Sequence, residues 1–129
     1  MFHVIKRYNL GVISYSPLAG GFLTGKYSKE GDLPDTPRSE GTKKRYFIEK
    51  RWKILEVVKE IAEIKEATIP QIALAWILSK DFITAPIIGA NSVEQLEKNV
   101  AALEIKLSED EIKQLDEVSD WVADYEKIR

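Results

Sequence analysis

Two short runs of β-branched and apolar residues, each ending abruptly in glycine and other small residues, constrain this chain more than anything else in it. The first runs into Gly11-Val-Ile-Ser-Tyr-Ser-Pro-Leu-Ala-Gly-Gly-Phe-Leu-Thr-Gly-Lys26, the second into Ile83-Thr-Ala-Pro-Ile-Ile-Gly-Ala-Asn-Ser-Val-Glu-Gln-Leu-Glu-Lys-Asn-Val100. Val12 and Ile13 predict a strand over Leu10 to Ser16, and the later run predicts one over Phe82 to Ile88 with a helix immediately behind it. Helical patterns fill most of the interval, so the pair reads as parallel strands joined by a helical crossover. Parallel strands are buried on both faces and take neighbours on each edge. Two alone leave both edges unpaired, which invites association.

The rest of the layout follows from periodicity and punctuation. Residues 1–9 read as the end of a helix, closed near Asn9 and Gly11. Gly31, Pro34, Pro37, Ser39 and Gly41 among charges predict a mobile surface loop from Ser28 to Thr42. From Lys43 a long helix carries Phe47, Ile54, Leu55, Val58 and Ile61 on one side, with lysines and glutamates opposite. Thr68 and Pro70 open a helix that is apolar nearly all round from Ile72 to Leu78, the mark of burial on more than one side. A helix follows the second strand from Val93 to Leu103. Ser108 with Glu111 forms a capping box that opens a last helix through Val118. Trp121 and Tyr125 predict that the tail from Asp120 to Arg129 packs against the rest.

The two strand ends carry the chemistry. Glycine lets a backbone approach a ligand closely, and successive N–H groups in such a turn form an anion nest. Ser92 followed by Gln95 fits a capping box, and the helix start it marks offers N–H groups and a positive dipole end. Gln95 and Asn99 lie four residues apart on one helix face, where two amides can read the edge of a heterocycle. The residues alone equally permit a steric strand–loop junction and a capped, solvated first turn. The basic cluster Lys43-Lys-Arg45 is balanced by Glu49, Glu56, Glu60 and Glu63, as on a solvated helix face.

Tyr15-Ser-Pro-Leu-Ala-Gly-Gly and Pro86-Ile-Ile-Gly-Ala-Asn-Ser-Val-Glu-Gln-Leu-Glu-Lys-Asn99 resemble the last two strand–loop segments of the aldo-keto reductases. Ala73-Leu-Ala-Trp76 and Leu107-Ser-Glu-Asp-Glu111 fall where that family has similar words. The resemblance implies a (β/α)8 barrel that binds NADP(H), with NAD(H) as the alternative, and transfers hydride to an aldehyde or ketone. It implies that Tyr15 stacks on the nicotinamide. Ser16, Leu18 and Gly20 then lie around the pyrophosphate, with Gly21 and Lys26 nearby. Gly89, Ala90, Asn91, Gln95 and Asn99 match the adenosine-phosphate end. Asn91 departs from relatives that place Arg, Lys or Thr there, since a 2′-phosphate prefers a cation; Lys98 is close in sequence. The family's catalytic Tyr, Lys, Asp and His belong to earlier strands, so the resemblance assigns no catalytic residue here. His3 and Tyr8, Tyr27, Tyr46 and Tyr125 lack the matching context, and no metal site is expected.

Length shapes the expectation further. A (β/α)8 barrel takes about 250 residues, and this chain has 129. The expectation is therefore an α/β chain, a partial (β/α)8 barrel of about two parallel strands and four or five helices. Residues 1–129 would form one C-terminal partial aldo-keto reductase domain, the last βα units with the cofactor-binding portion, beginning within the barrel's sixth helical unit and lacking the family's catalytic residues. A net charge of −2 and a pI near 5.5 speak against a nucleic-acid surface. No long apolar span points to a membrane, and zero cysteines exclude disulfides and thiolate sites. A soluble cytoplasmic protein is expected, and its activity as an enzyme is left open. Three readings compete: one part of a split or truncated reductase, inactive without the missing barrel half; a non-catalytic nucleotide-binding or scaffold protein; and a product whose exposed strands drive self-association.

Overall fold

Parallel pairing sets the architecture. In the computed structural model, which describes residues 2–119, β1 (Ile13–Tyr15) lies beside β2 (Ala85–Ile87) with Ile13 opposite Ala85, Ser14 opposite Pro86 and Tyr15 opposite Ile87. Both strands are shorter than expected, for local reasons. Val12 N–H donates to the Thr84 hydroxyl at 2.9 Å, a side-chain bond in place of a ladder bond. At the other end Ser16 turns to φ 56°, out of the extended region.

The remaining elements are α1 (Phe2–Tyr8), a 3₁₀ segment (Ala19–Thr24), α2 (Ser39–Tyr46), α3 (Glu49–Ile64), α4 (Ile69–Leu78), α5 (Val93–Val100), a second 3₁₀ segment (Ala101–Glu104) and α6 (Glu109–Ser119). The crossover from β1 to β2 therefore runs through α2, α3 and α4, as parallel strands require.

The main core forms where α3 packs against α4 and α6. Ile54, Val58, Ile61 and Ala62 line the inner stripe of α3 and meet Ile72 and Ala73 of α4 and Leu115 of α6. Helix α4 is buried on more than one side, as its composition predicts: Ile72 through Ala75 are buried and Trp76 to Leu78 half-buried. Its start is a capping box in which Thr68 N–H donates to Gln71 Oε1 at 2.9 Å, with proline in the first turn. The box at α6 is the expected one, Ser108 N–H to Glu111 Oε2 at 2.7 Å and Glu111 N–H to Ser108 Oγ at 3.2 Å. Lys65 ties α3 to this corner, donating to Glu111 at 3.0 Å and to the Lys106 carbonyl at 3.0 Å. Trp76 donates to Asp116 at 2.8 Å, and Lys80 pairs with the same carboxylate.

A second, aromatic cluster corrects the expectation of one long helix from Lys43. The chain breaks at Phe47 and Ile48, and Ile48 is extended at φ −127° and ψ 152°. The break turns the Phe47 ring inward, 4.9 Å from Trp52 and 5.7 Å from Tyr27. Phe22 sits at the centre, 4.8 Å from Trp52 and 5.8 Å from Tyr46. Edge-on aromatic packing of this kind adds to the burial it accompanies. Among the described residues there are six α-helices, and α2, split off by this break, is the one beyond the expected five.

The predicted mobile loop over 28–42 is also shorter at its end. Ser39 and Thr42 belong to α2 and are buried. Ser39 Oγ bonds Thr36 Oγ1 at 2.9 Å and donates to the Pro34 carbonyl. Gly25 closes the first 3₁₀ segment at φ +79°, and a Cβ there would stand 2.4 Å from Ile69 Cδ1. Only glycine fits that contact. The expected packing of Trp121 and Tyr125 lies outside the described residues.

The side of the sheet away from the helices is bare. Ile13 is 64%, Tyr15 86% and Ile87 51% exposed, while Ser14 and Pro86 between them are half-buried. Neither strand has a further neighbour among the described residues.

Two predictions follow from the core. Leu115→Ala, at a fully buried site, should cost about 2–5 kcal/mol in urea unfolding, whereas Ile64→Ala, 74% exposed, should stay within about 0.5 kcal/mol; equal effects would refute the packing scheme. Burial pushes the Glu111 carboxyl up, but the Ser108 N–H and the Lys65 ammonium outweigh it and hold the group below its ordinary 4.5. A carboxylate depressed in the folded state stabilises at neutral pH and loses that contribution as pH falls through its folded value. The stability lead of wild type over Glu111→Gln should therefore shrink below pH 4.5, and parallel pH profiles would contradict it.

Candidate functional site

Both carboxyl ends of the strands open at one edge of the sheet, because Tyr15 and Ile87 are register partners. Chain leaving β1 enters the 16–21 turn; chain leaving β2 enters Gly89 to Ser92 and then α5. In open parallel sheets this edge is where ligands are held. Tyr15 ends β1 on the bare face, with Ser16 beside it and exposed. All three predicted groups of residues thus begin at the neighbouring carboxyl ends of the two strands.

The 16–21 turn has an uncommon backbone. Ser16, Ala19, Gly20 and Gly21 all have positive φ, at 56°, 51°, 65° and 94°. For Ser16 and Ala19 that conformation costs about 1–2 kcal/mol each, strain of the kind that concentrates at functional sites. The N–H groups expected to stand open are bonded within the turn. Ala19 N–H donates to the Ser16 carbonyl at 2.9 Å, Gly20 N–H to Ser16 Oγ at 3.3 Å and Gly21 N–H to the Leu18 carbonyl at 2.9 Å. Ser16 Oγ therefore accepts from Gly20 and keeps its own proton to donate. Leu18 turns the other way and packs against the main core; it contributes its carbonyl rather than its side chain. Lys26 folds back over the turn. A Cβ on Gly21 would lie 3.1 Å from Lys26 Cε and 3.3 Å from its ammonium nitrogen, which also stands 5.3 Å from the Tyr27 ring centre.

At the second loop Ser92 is the N-cap of α5 and accepts from Gln95 N–H at 3.2 Å. Gln95 Oε1 accepts the Asn91 N–H at 2.9 Å, which leaves its NH2 facing outward as a donor. Gly89, Ala90, Asn91 and Gln95 are exposed, and Asn99 in the last turn of α5 is half-buried. A Cβ on Gly89 would meet nothing within 4 Å, so the protein's own packing does not call for glycine there. Lys98 pairs with Glu94 one turn earlier at 2.6 Å, and that contact holds the Glu94 carboxyl below its ordinary range.

Sequence reading missed one contributor, Thr42, and one contact, that of Gln95 with Asn91. Thr42, assigned to a surface loop, is buried and donates to the Gly20 carbonyl at 3.2 Å. Gln95 closes on Asn91, one residue before the cap, which periodicity cannot distinguish from a side chain pointing to solvent. No group of three or more His, Cys, Asp or Glu among the described residues is placed to hold a metal ion, and no described helix is long and apolar enough to cross a membrane.

Known proteins share this fold. The chain is 37% identical over 118 residues to the aldo-keto reductase yakc [NADP(+)] of Schizosaccharomyces pombe, covering 89% of this chain and 34% of that protein. It is 43% identical over 113 residues to the chloroplastic pyridoxal reductase of Arabidopsis thaliana, covering 88% of this chain and 30% of the relative. Among solved structures it matches a thermostable aldo-keto reductase in complex with the inhibitor epalrestat, with a TM-score of 0.60 and 32% identity over 90% of this chain and 32% of the other. The chain thus spans about a third of the length of these relatives. Two parallel strands with helices on one face are a partial barrel of the kind that the solved structure contains. The model of the Aldo/keto reductase family matches residues 1–120, and the chain belongs to that family.

Proposed function

We propose that the chain supplies the dinucleotide-holding part of an NADP(H)-dependent aldo-keto reductase, within a barrel that further strands complete. The observation that carries this reading is the Tyr15–Ile87 register, which brings both glycine-containing loops out at the same edge of neighbouring strands. The donor set suits a dinucleotide. Around a pyrophosphate, the Ser16 hydroxyl and the Lys26 ammonium are grouped at one strained turn. The Asn91–Ser92–Gln95 cap and Asn99 form the adenosine end, and the open space at Gly89 lets a ligand approach the backbone. The exposed face of Tyr15 is flat and apolar, as a nicotinamide ring requires.

When bound, NADP(H) would supply the hydride exchanged with the carbonyl carbon of an aldehyde or ketone. This chain's residues bind and orient; none is assigned as the proton donor to the carbonyl oxygen. Preference for NADP over NAD draws on the relative whose name carries NADP(+), because Asn91 and Ser92 are uncharged and Lys98 is engaged by Glu94. A cytoplasmic setting belongs to the same reading.

A second reading concerns association and is favoured by the bare sheet face of Ile13, Tyr15 and Ile87. Apolar side chains on a sheet with unpaired edges are covered by further strands, either the rest of a barrel or another copy.

Two measurements test these readings. Titration with NADPH, followed by protein fluorescence, should show saturable binding without turnover of a carbonyl substrate, and Tyr15→Ala should weaken it by about tenfold; an unchanged signal at saturating NADPH would dispose of the dinucleotide reading. Sedimentation should show the chain self-associated, and Ile87→Lys should reduce that association; a wild-type monomer at all concentrations would exclude the second-copy form.

A further inference from the structure

The 16–21 turn cannot hold its shape from local preference. Three consecutive residues, Ala19, Gly20 and Gly21, take positive φ, and single left-handed residues, not runs of them, are the rule outside glycine. Something beyond the turn must select this conformation. Helix α2, which follows a long surface excursion, touches the turn and the residue just after it. Phe22, only 1% exposed, stacks on Tyr46 at 5.8 Å. Thr42, 3% exposed, donates its hydroxyl proton to the Gly20 carbonyl at 3.2 Å, across 22 residues of chain.

We propose that Thr42 is a positioning residue for the ligand-holding turn: its hydrogen bond to the Gly20 carbonyl fixes the Gly20–Gly21 peptide and so holds the turn in the shape that presents the Ser16 hydroxyl to a pyrophosphate. The proposal rests on the dinucleotide reading above for the identity of the ligand. A peptide group is planar and trans, so its C=O and N–H point in opposite directions. Anchoring the Gly20 oxygen therefore directs the Gly21 N–H, which donates to the Leu18 carbonyl at 2.9 Å. The approach is also close. A Cβ on Gly20 would lie 3.1 Å from Thr42 Oγ1, so glycine is what allows α2 to reach the turn. Thr42 is itself held in place one turn along α2 from Ser39, whose hydroxyl bonds Thr36 at 2.9 Å and the Pro34 carbonyl. Ser39 thus anchors the start of α2 to the excursion, and α2 in turn carries Thr42 to the turn.

The test compares wild type with Thr42→Val, which keeps the shape and removes the hydroxyl, and Thr42→Ser, which restores it. Two readouts are taken: hydrogen exchange of the Gly21 amide without ligand, and NADPH affinity by fluorescence titration. We expect Thr42→Val to speed Gly21 exchange and weaken NADPH binding by about tenfold, with the thermal midpoint little changed, and Thr42→Ser to recover both. Wild-type affinity and wild-type exchange in Thr42→Val would overturn the proposal. A wild-type chain that binds no NADPH would overturn the dinucleotide reading instead, and Gly21 exchange then decides the role of Thr42 without it. Should valine prevent folding, Thr42→Ala, which removes the hydroxyl and leaves room, is judged by the same two outcomes.

Discussion

Because β1 and β2 run parallel, with Tyr15 opposite Ile87, the chain leaving one strand must travel back along the outside before it enters the next. That return is the helical layer α2, α3 and α4, and its apolar stripe has to face the sheet or another helix. The core around Val58, Ile72 and Leu115 is the result. The same constraint sets both carboxyl ends at one edge, so the loops with strained or open backbone start from adjacent strand ends. Architecture and candidate site are two consequences of a single pairing.

The helix layer also shapes the site from behind. The aromatic cluster around Phe22 draws the first 3₁₀ segment onto α2 and α3. Gly25, pressed against Ile69, lets the chain turn away from α4. Strain at Ser16 and Ala19 is offset by this packing, since neither residue adopts positive φ cheaply. The strained backbone of the candidate ligand edge and the densely packed layer behind it divide the molecule into a candidate site and the part that supports it.

The bare face of the sheet follows from the same geometry. A barrel buries one face of each strand in its interior and the other under helices. Here the helix-side residues Ser14 and Pro86 are half-buried while Ile13, Tyr15 and Ile87 alternate with them on the open side. This alternation is that of a barrel wall seen from inside, consistent with a family membership in which the chain matches about a third of its relatives' length.

Much of this was legible in the residues. Periodicity located α3, α4, α5 and α6, because an amphipathic stripe and a capping box are local patterns, written within a few residues of each other. Ser108 with Glu111 forms both bonds its spacing requires, whereas Ser92 accepts from Gln95 N–H while the Gln95 side chain takes the Asn91 N–H in place of that of Ser92. The strand–loop junctions were visible for the same reason. What was not legible depends on contacts between distant segments. The break at Phe47 exists because its ring is drawn to Trp52 and Tyr27, and no local signal competes with the lysines and glutamates around it. Thr42 read as loop because Gly31, Pro34 and Pro37 precede it, yet its partner is the Gly20 carbonyl. The N–H groups of the turn looked open because a sequence cannot show that Ser16 and Leu18 accept them. Sequence by itself determined the elements, their caps and their apolar faces, which are set by short-range sterics and hydrogen bonding. Only the tertiary structure decided where the helices break and which hydroxyl meets the turn, because both are settled by packing between parts of the chain that are far apart along it.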